Sequence, residues 1–281
     1  QKFTPLHFAA SEGHESVVQV LLAAGANQDA RACQHFTPLH IAADKGYELV
    51  VQVLLASGAD KEARDNQQQS TPLHFAARSG HGAVVLALLA AGANNHASDK
   101  EHSTPLHLAA IAGHESVVQA LLANGVDCNI RADCRATALH VAAGLGHESV
   151  VQMLLTAGAT REARNTEQFT PLHFAAAEGR EAVVKLLLAS GAEKEARGSD
   201  KSTPLHHAAG KDHGAVVQAL LAAGVDIEAG DIMGNTPLQH SAIAGCATAM
   251  KFLLAAGANI EARNNQQRTP LHCAIVKGHE E

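Results

Sequence analysis

Residues 4–25 read TPLHFAASEGHESVVQVLLAAG, and this stretch decides the fold. Thr4 is a good helix N-cap, and Pro5 at the first helical position loses nothing by lacking an N–H. Leu6, Ala9 and Ala10 recur at helical spacing, and Gly13 ends this short first helix. A second helix is predicted from about Glu15 to Ala24, with Glu15 in its first turn where a carboxylate favours the helix dipole. Val17, Val18, Leu21 and Leu22 form its apolar stripe, and Gly25 stops it. Ala26 to Phe36 is polar and short, as a turn is.

The same pattern returns along the whole chain. Thr4, Thr37, Thr71, Thr104, Thr137, Thr170, Thr203, Thr236 and Thr269 open nine copies, at intervals of 33 residues with a single interval of 34. Leu-Leu-x-x-Gly closes the first eight, at Gly25, Gly58, Gly92, Gly125, Gly158, Gly191, Gly224 and Gly257. No linker or low-complexity stretch interrupts the series, so residues 1–281 are expected to be one continuous domain of about 8.5 repeats. The repeats start near residues 1, 34, 68, 101, 134, 167, 200, 233 and 266, and the last is cut short. The extra residue of the long interval falls in Asp65–Gln69, where the turn should bulge.

With nine in-register copies of TPLHxAA, the chain resembles the ankyrin-repeat proteins over essentially its whole length. The resemblance implies an all-α repeat fold, an α-solenoid whose stacked helix pairs carry projecting β-hairpin tips. One pair cannot bury its faces alone, so stability comes from nearest-neighbour interfaces. The Ala-Ala pair lets first helices approach closely, while Val-Val and Leu-Leu fill the space between repeats. Neither end shows a polar capping repeat, so further repeats or another domain are expected beyond Gln1 and Glu281.

Composition excludes several function classes. Lys plus Arg is 21 and Asp plus Glu is 28, a formal charge of −7, without the basic footprint of a nucleic-acid binder. No apolar run is long enough for membrane insertion. Five scattered cysteines make no disulfide framework, and free thiols fit a cytoplasmic setting. There is no phosphate loop, GxSxG or HExxH, so no enzyme activity and no cofactor are expected.

Nineteen histidines suggest a metal store, but fourteen belong to the repeat itself. Eight follow Thr-Pro-Leu or Thr-Ala-Leu, and the resemblance implies that their imidazoles hydrogen-bond backbone. Six more follow the glycine that ends the first helix or its replacement. The other five, His35, His96, His102, His207 and His240, lie in different repeats without metal-ligand spacing, so no metal site is expected. Glu162, Glu195, Glu228 and Glu261 recur at repeat spacing and read as a solvated face.

What remains is a binding surface. The resemblance implies that a partner protein or peptide contacts the tips and the concave side of the first helices. Residues after Ala-Ala are polar early in the chain, as at Arg78, and apolar at Ile111, Ala112, Leu145 and again at Ile243. Phe36 and Phe169 stand just before the Thr of their repeats, and Phe169 is expected to join Ile111, Ala112 and Leu145 in an apolar patch. Long polar side chains, among them His102 and Arg135, hold the tip position where this family usually has glycine; only Gly234 keeps it. Asn129 is the one residue matching the site that an asparaginyl hydroxylase modifies in such proteins. The chain thus reads as a monomeric protein–protein scaffold or adaptor, or as the targeting module of a larger enzyme, channel or effector.

Overall fold

The computed structural model describes residues 3–278. The chain falls into two compact units, residues 1–133 and 134–281. The first holds α1 (Pro5–Ser11), α2 (Glu15–Ala23), α3 (Pro38–Lys45), α4 (Glu48–Ala56), α5 (Pro72–Ser79), α6 (Gly82–Ala90), α7 (Pro105–Ala112) and α8 (Glu115–Ala123). The second holds α9 (Ala138–Leu145), α10 (Glu148–Thr156), α11 (Pro171–Ala177), α12 (Glu181–Ala189), α13 (Pro204–Gly210), α14 (Gly214–Ala222), α15 (Pro237–Ala244), α16 (Ala247–Ala255) and α17 (Pro270–Lys277). Odd-numbered helices are the first helices of their repeats. Within each unit, first helices pack on first helices and second helices on second helices. The ninth second helix expected from the period lies outside the described residues.

The conserved grammar of each copy is a set of hydrogen bonds. In the second repeat the Thr37 N–H donates to His40 Nδ1 at 3.2 Å, closing a capping box at the start of α3. An Nδ1 that accepts puts the ring proton on Nε2, which donates to the Ser70 carbonyl of the next repeat at 3.2 Å. His7, His74, His140, His173 and His206 make the same bridge to carbonyls 29 residues on. Gln239 does the work of histidine in the eighth repeat: its Oε1 accepts the Thr236 N–H at 2.8 Å and its Nε2 donates to the Arg268 carbonyl at 2.7 Å. These polar groups sit among Leu39, Ala42, Ala43, Val51 and Leu54, all fully buried.

The second histidine class locks neighbouring repeats together. His213 lies over Gly179, where an added Cβ would come within 2.6 Å of the ring, and it donates to the Ala177 carbonyl at 3.1 Å. Gly179 also has φ +68°, so glycine is required twice over. His81 makes the matching bond to the Asp44 carbonyl, and Arg180 replaces histidine by donating to the Gly144 carbonyl.

The tips are hairpin-like turns; among the described residues no strand forms. A backbone bond spanning four residues closes each of six tips, for example Asn165 N–H to the Phe169 carbonyl at 3.1 Å. At the long interval the bond runs from Asp65 N–H to the Ser70 carbonyl, five residues on, which accommodates the extra residue. Gln69, His102, Arg135, Gln168, Lys201 and Gln267 adopt positive φ of 55–62° where glycine would be unstrained. A repeated arginine supports several of these: Arg164 Nη1 donates to the Gln168 carbonyl and, at 2.7 Å, to the Arg197 carbonyl of the next repeat.

The acidic series is more than a solvated face. Glu162, Glu195 and Glu228 each accept a backbone N–H of the following repeat, from Glu193, Asp226 and Asn259 at 2.6–2.8 Å. Glu261 is exposed. A loop N–H left by the preceding helix end needs an acceptor, and a carboxylate one repeat back supplies it.

Candidate functional site

Phenylalanine is the scarce large side chain here, with seven in the chain, and its placement is uneven. Six of the seven occupy two repeat positions: just before Thr (Phe3, Phe36, Phe169) and just after Thr-Pro-Leu-His (Phe8, Phe75, Phe174). These positions meet on the first-helix side of each unit and build two aromatic hollows.

In the first unit a hollow of about 250 Å³ is lined by Phe3, Phe36, His40, Ile41 and Phe75, with Asp44 and Lys45 at its rim. Phe36 and Phe75 pack edge-to-face at 5.3 Å, and the Arg78 guanidinium lies 4.6 Å above the Phe75 ring. Arg78 also pairs with Asp44 at 3.6 Å. In the second unit a hollow of about 230 Å³ is lined by Phe169, His173, Phe174 and His207, with Glu178 and Lys211 at the rim. Phe169 packs edge-to-face on His207 at 4.8 Å, and Lys211 donates to Glu178 at 2.9 Å. A third hollow, of about 110 Å³, lies between the eighth and ninth repeats and includes Ile243, Met233 and Val276.

Several of these walls are histidine, and burial keeps those rings neutral. Desolvation lowers His40, His74 and His206 to about 4 and, with help from the nearby His207, lowers His173 to about 3. His207, whose Nε2 lies 3.0 Å from Ser202 Oγ, is also lowered by burial, to about 4. Against the cost of burial, bonds from His240 and Asn235 hold the Asp231 carboxyl below its usual range.

The residues expected from sequence belong to different repeats of the two units. Phe36, Phe169 and Ile243 each line a different hollow. His102 is an exposed tip residue whose Nδ1 is 2.7 Å from Asp133 Oδ1. Arg135 is an exposed tip residue of the second unit. Ile111 and Ala112 are exposed at the end of α7 in the first unit, and Leu145 is exposed at the end of α9 in the second. Within the second unit the Phe169 ring packs toward the following repeat, on His173 and His207. Sequence reasoning missed Phe75, Phe174 and His207; the signal was the aromatic residue after Thr-Pro-Leu-His. Among the described residues no group of three His, Cys, Asp or Glu is placed to hold a metal ion. No described helix is long and apolar enough to cross a membrane.

A family model described as ankyrin repeats matches residues 1–65, 62–132, 125–198 and 205–281. The chain belongs to the ankyrin-repeat family. Among solved structures, it is similar to the human ASB11 ankyrin repeat domain, at 32% identity and a TM-score of 0.72. That match covers 80% of this ankyrin-repeat chain and 99% of the other. No curated protein matches the chain. Ankyrin repeats are in general protein-interaction scaffolds without catalysis of their own.

Proposed function

We propose that this chain is a non-catalytic adaptor that binds a partner protein or peptide through its tips and first-helix face. The observation that carries the reading is the concentration of phenylalanine in two hollows, where aromatic side chains are not needed to close the repeat. The fourth repeat holds Leu108 at the position of Phe75 and Phe174 and still folds into the same helix pair. Aromatic anchors in partly enclosed sites, rimmed by charge, are the usual energetic centres of protein interfaces. Phe36 and Phe169 are the first anchors, Arg78, His102 and Arg135 polar contacts, and Ile111, Ala112, Leu145 and Ile243 flanking apolar contacts.

The acidic charge disfavours nucleic acid, and the partner side of the chain works without a cofactor. The sequence period runs unbroken through residues 133 and 134, so we take the array as one domain of a monomeric, cytoplasmic protein. The targeting module of a larger enzyme, channel or effector is the same activity placed in a longer chain. Selection of a peptide-display library tests the reading. Peptides that bind the chain should lose at least about tenfold in affinity to a Phe36→Ser, Phe169→Ser variant that melts normally. A library from which nothing binds, or binders indifferent both to these substitutions and to changes at Met233 and Ile243, would contradict it.

A further inference from the structure

The third hollow differs from the other two in its charge. The rims of the first and second each contain a carboxylate and a lysine: Asp44 with Lys45, and Glu178 with Lys211. The third is lined by Met233, Ile243 and Val276 together with Arg268 and Lys277, and no Asp or Glu is among its lining residues. Among the described residues neither cationic side chain makes an ion pair. Asp231, on the same tip as Met233, is already committed. Its Oδ1 accepts the N–H groups of Met233 and Asn235, and its Oδ2 receives His240 and the Asn235 amide. In a chain of net charge −7, two cations with no ion pair among the described residues, beside one apolar hollow, stand out.

The apolar side of the hollow extends onto the tip. Ile232 and Met233 are about half exposed, where other tips carry polar pairs such as Thr166–Glu167, Ser199–Asp200 and Asn265–Gln266. The tip does not need them, because its backbone is held independently. Ile232 N–H donates to the Asp200 carbonyl at 2.7 Å, and Asn265 bonds both the Ile232 and Met233 carbonyls. The hollow's far wall is fixed as well: Asn264 Oδ1 accepts the Gln266 and Arg268 N–H groups, and the Arg268 carbonyl accepts Gln239. A rigid frame therefore presents a methionine, two isoleucines and a valine next to a guanidinium and an ammonium. Such a surface is desolvated favourably by an aliphatic side chain, while carboxylates on either side answer the two cations.

We propose that the Met233–Ile243–Val276 hollow is a docking site for an extended acidic segment of a partner, with aliphatic residues flanked by Asp or Glu. This inference rests on the adaptor reading and specifies the partner chemistry for one part of that face.

The probe is a fluorescein-labelled peptide with two adjacent leucines flanked on each side by two glutamates, titrated with the whole chain by fluorescence anisotropy. Two control peptides exchange leucine for serine or glutamate for lysine. The acidic leucine peptide should bind about tenfold or more tightly than either control, and more weakly as salt rises. Arg268→Glu with Lys277→Glu should abolish that preference, and Met233→Ser with Ile232→Ser should weaken binding. All four side chains are exposed, so circular dichroism melting curves should hold. Val20→Ser, at an exposed position of α2 outside the proposed binding face, serves as the control and should leave the affinity unchanged. Equal binding of the three peptides, no saturable binding, or full binding by the charge-reversed variant overturns the proposal. The library selection judges the adaptor reading separately: binders that depend on Phe36 and Phe169 but not on Arg268 would uphold that reading and sink this one.

Discussion

Mild acid should unfold this protein through its buried histidines. His40 and His74 in the first unit and His173 and His206 in the second accept a backbone N–H at Nδ1 and donate from Nε2. A second proton would remove the acceptor and place a charge in a dry interior, and their pKa values fall from 6.5 to about 4 or about 3. A folded-state pKa below the unfolded value means that stability is complete above 6.5 and is lost as pH falls toward 4. At pH 5.5 the unfolded chain binds most of one proton per histidine and the folded chain almost none, about 1.4 kcal/mol for each group. The two groups of the first unit give about 3 kcal/mol, or a fall of about 1–2 M in urea midpoint for a typical m-value, and in the second unit His207, also lowered to about 4, adds a third. Far-UV circular dichroism is the assay, since the chain has no Trp and one Tyr. The control is already present in the eighth repeat, where Gln239 makes both bonds without titrating. Replacing the four histidines by glutamine should keep stability at pH 7.5 and flatten the dependence between pH 7.5 and 5.5. Equal midpoints at the two pH values in the native chain would refute the reasoning.

Other substitutions test the framework. Gln168→Gly should raise stability by about 0.5–1 kcal/mol, because a side chain at φ 62° is relieved at some cost in unfolded-chain entropy; an unchanged urea midpoint would count against the strained tip. Leu121→Ala in α8, at a fully buried position, should cost about 2–5 kcal/mol in urea denaturation. Asp212 holds φ 59° where the other repeats place glycine, and its Oδ1 accepts the Ala249 N–H at 2.7 Å. Cys246 takes the place of the histidine that would lie against that Cβ. Cys246→His alone should therefore cost about 1–3 kcal/mol by overpacking, and adding Asp212→Gly should recover part of it in a double-mutant cycle.

Much of this architecture was legible in the residues. Thr4-Pro5 and Gly13 bracket a first helix, and the period of 33 residues fixes where every later helix lies, because capping and glycine chemistry are local. The resemblance implies that the repeat histidines hydrogen-bond backbone; which carbonyl accepts depends on the next repeat, and in the structure it is the residue just before that repeat's Thr. The tips were harder. Gln69 and Gln168 look incompatible with a glycine turn until Arg64 and Arg164 are seen holding their carbonyls from outside. Glu162 reads as a surface charge because its acceptor role depends on an N–H one repeat away. The aromatic hollows were legible only in part. Phe36 and Phe169 stood out as tip residues, but the partners Phe75 and His207 come from the following repeat. Arg268 and Lys277 do not announce a cationic hollow, because nothing in the sequence shows that Asp231, on the same tip as Met233, is consumed by His240.

Hydrogen–deuterium exchange of the chain with and without a peptide from the display selection tests the central claim most directly. A partner gripped by tips and first helices should slow exchange in residues 33–45 and 166–178, or in 231–244 and 264–277, while the second helices exchange as before. Protection confined to the second helices α4, α10 and α12 would contradict the account.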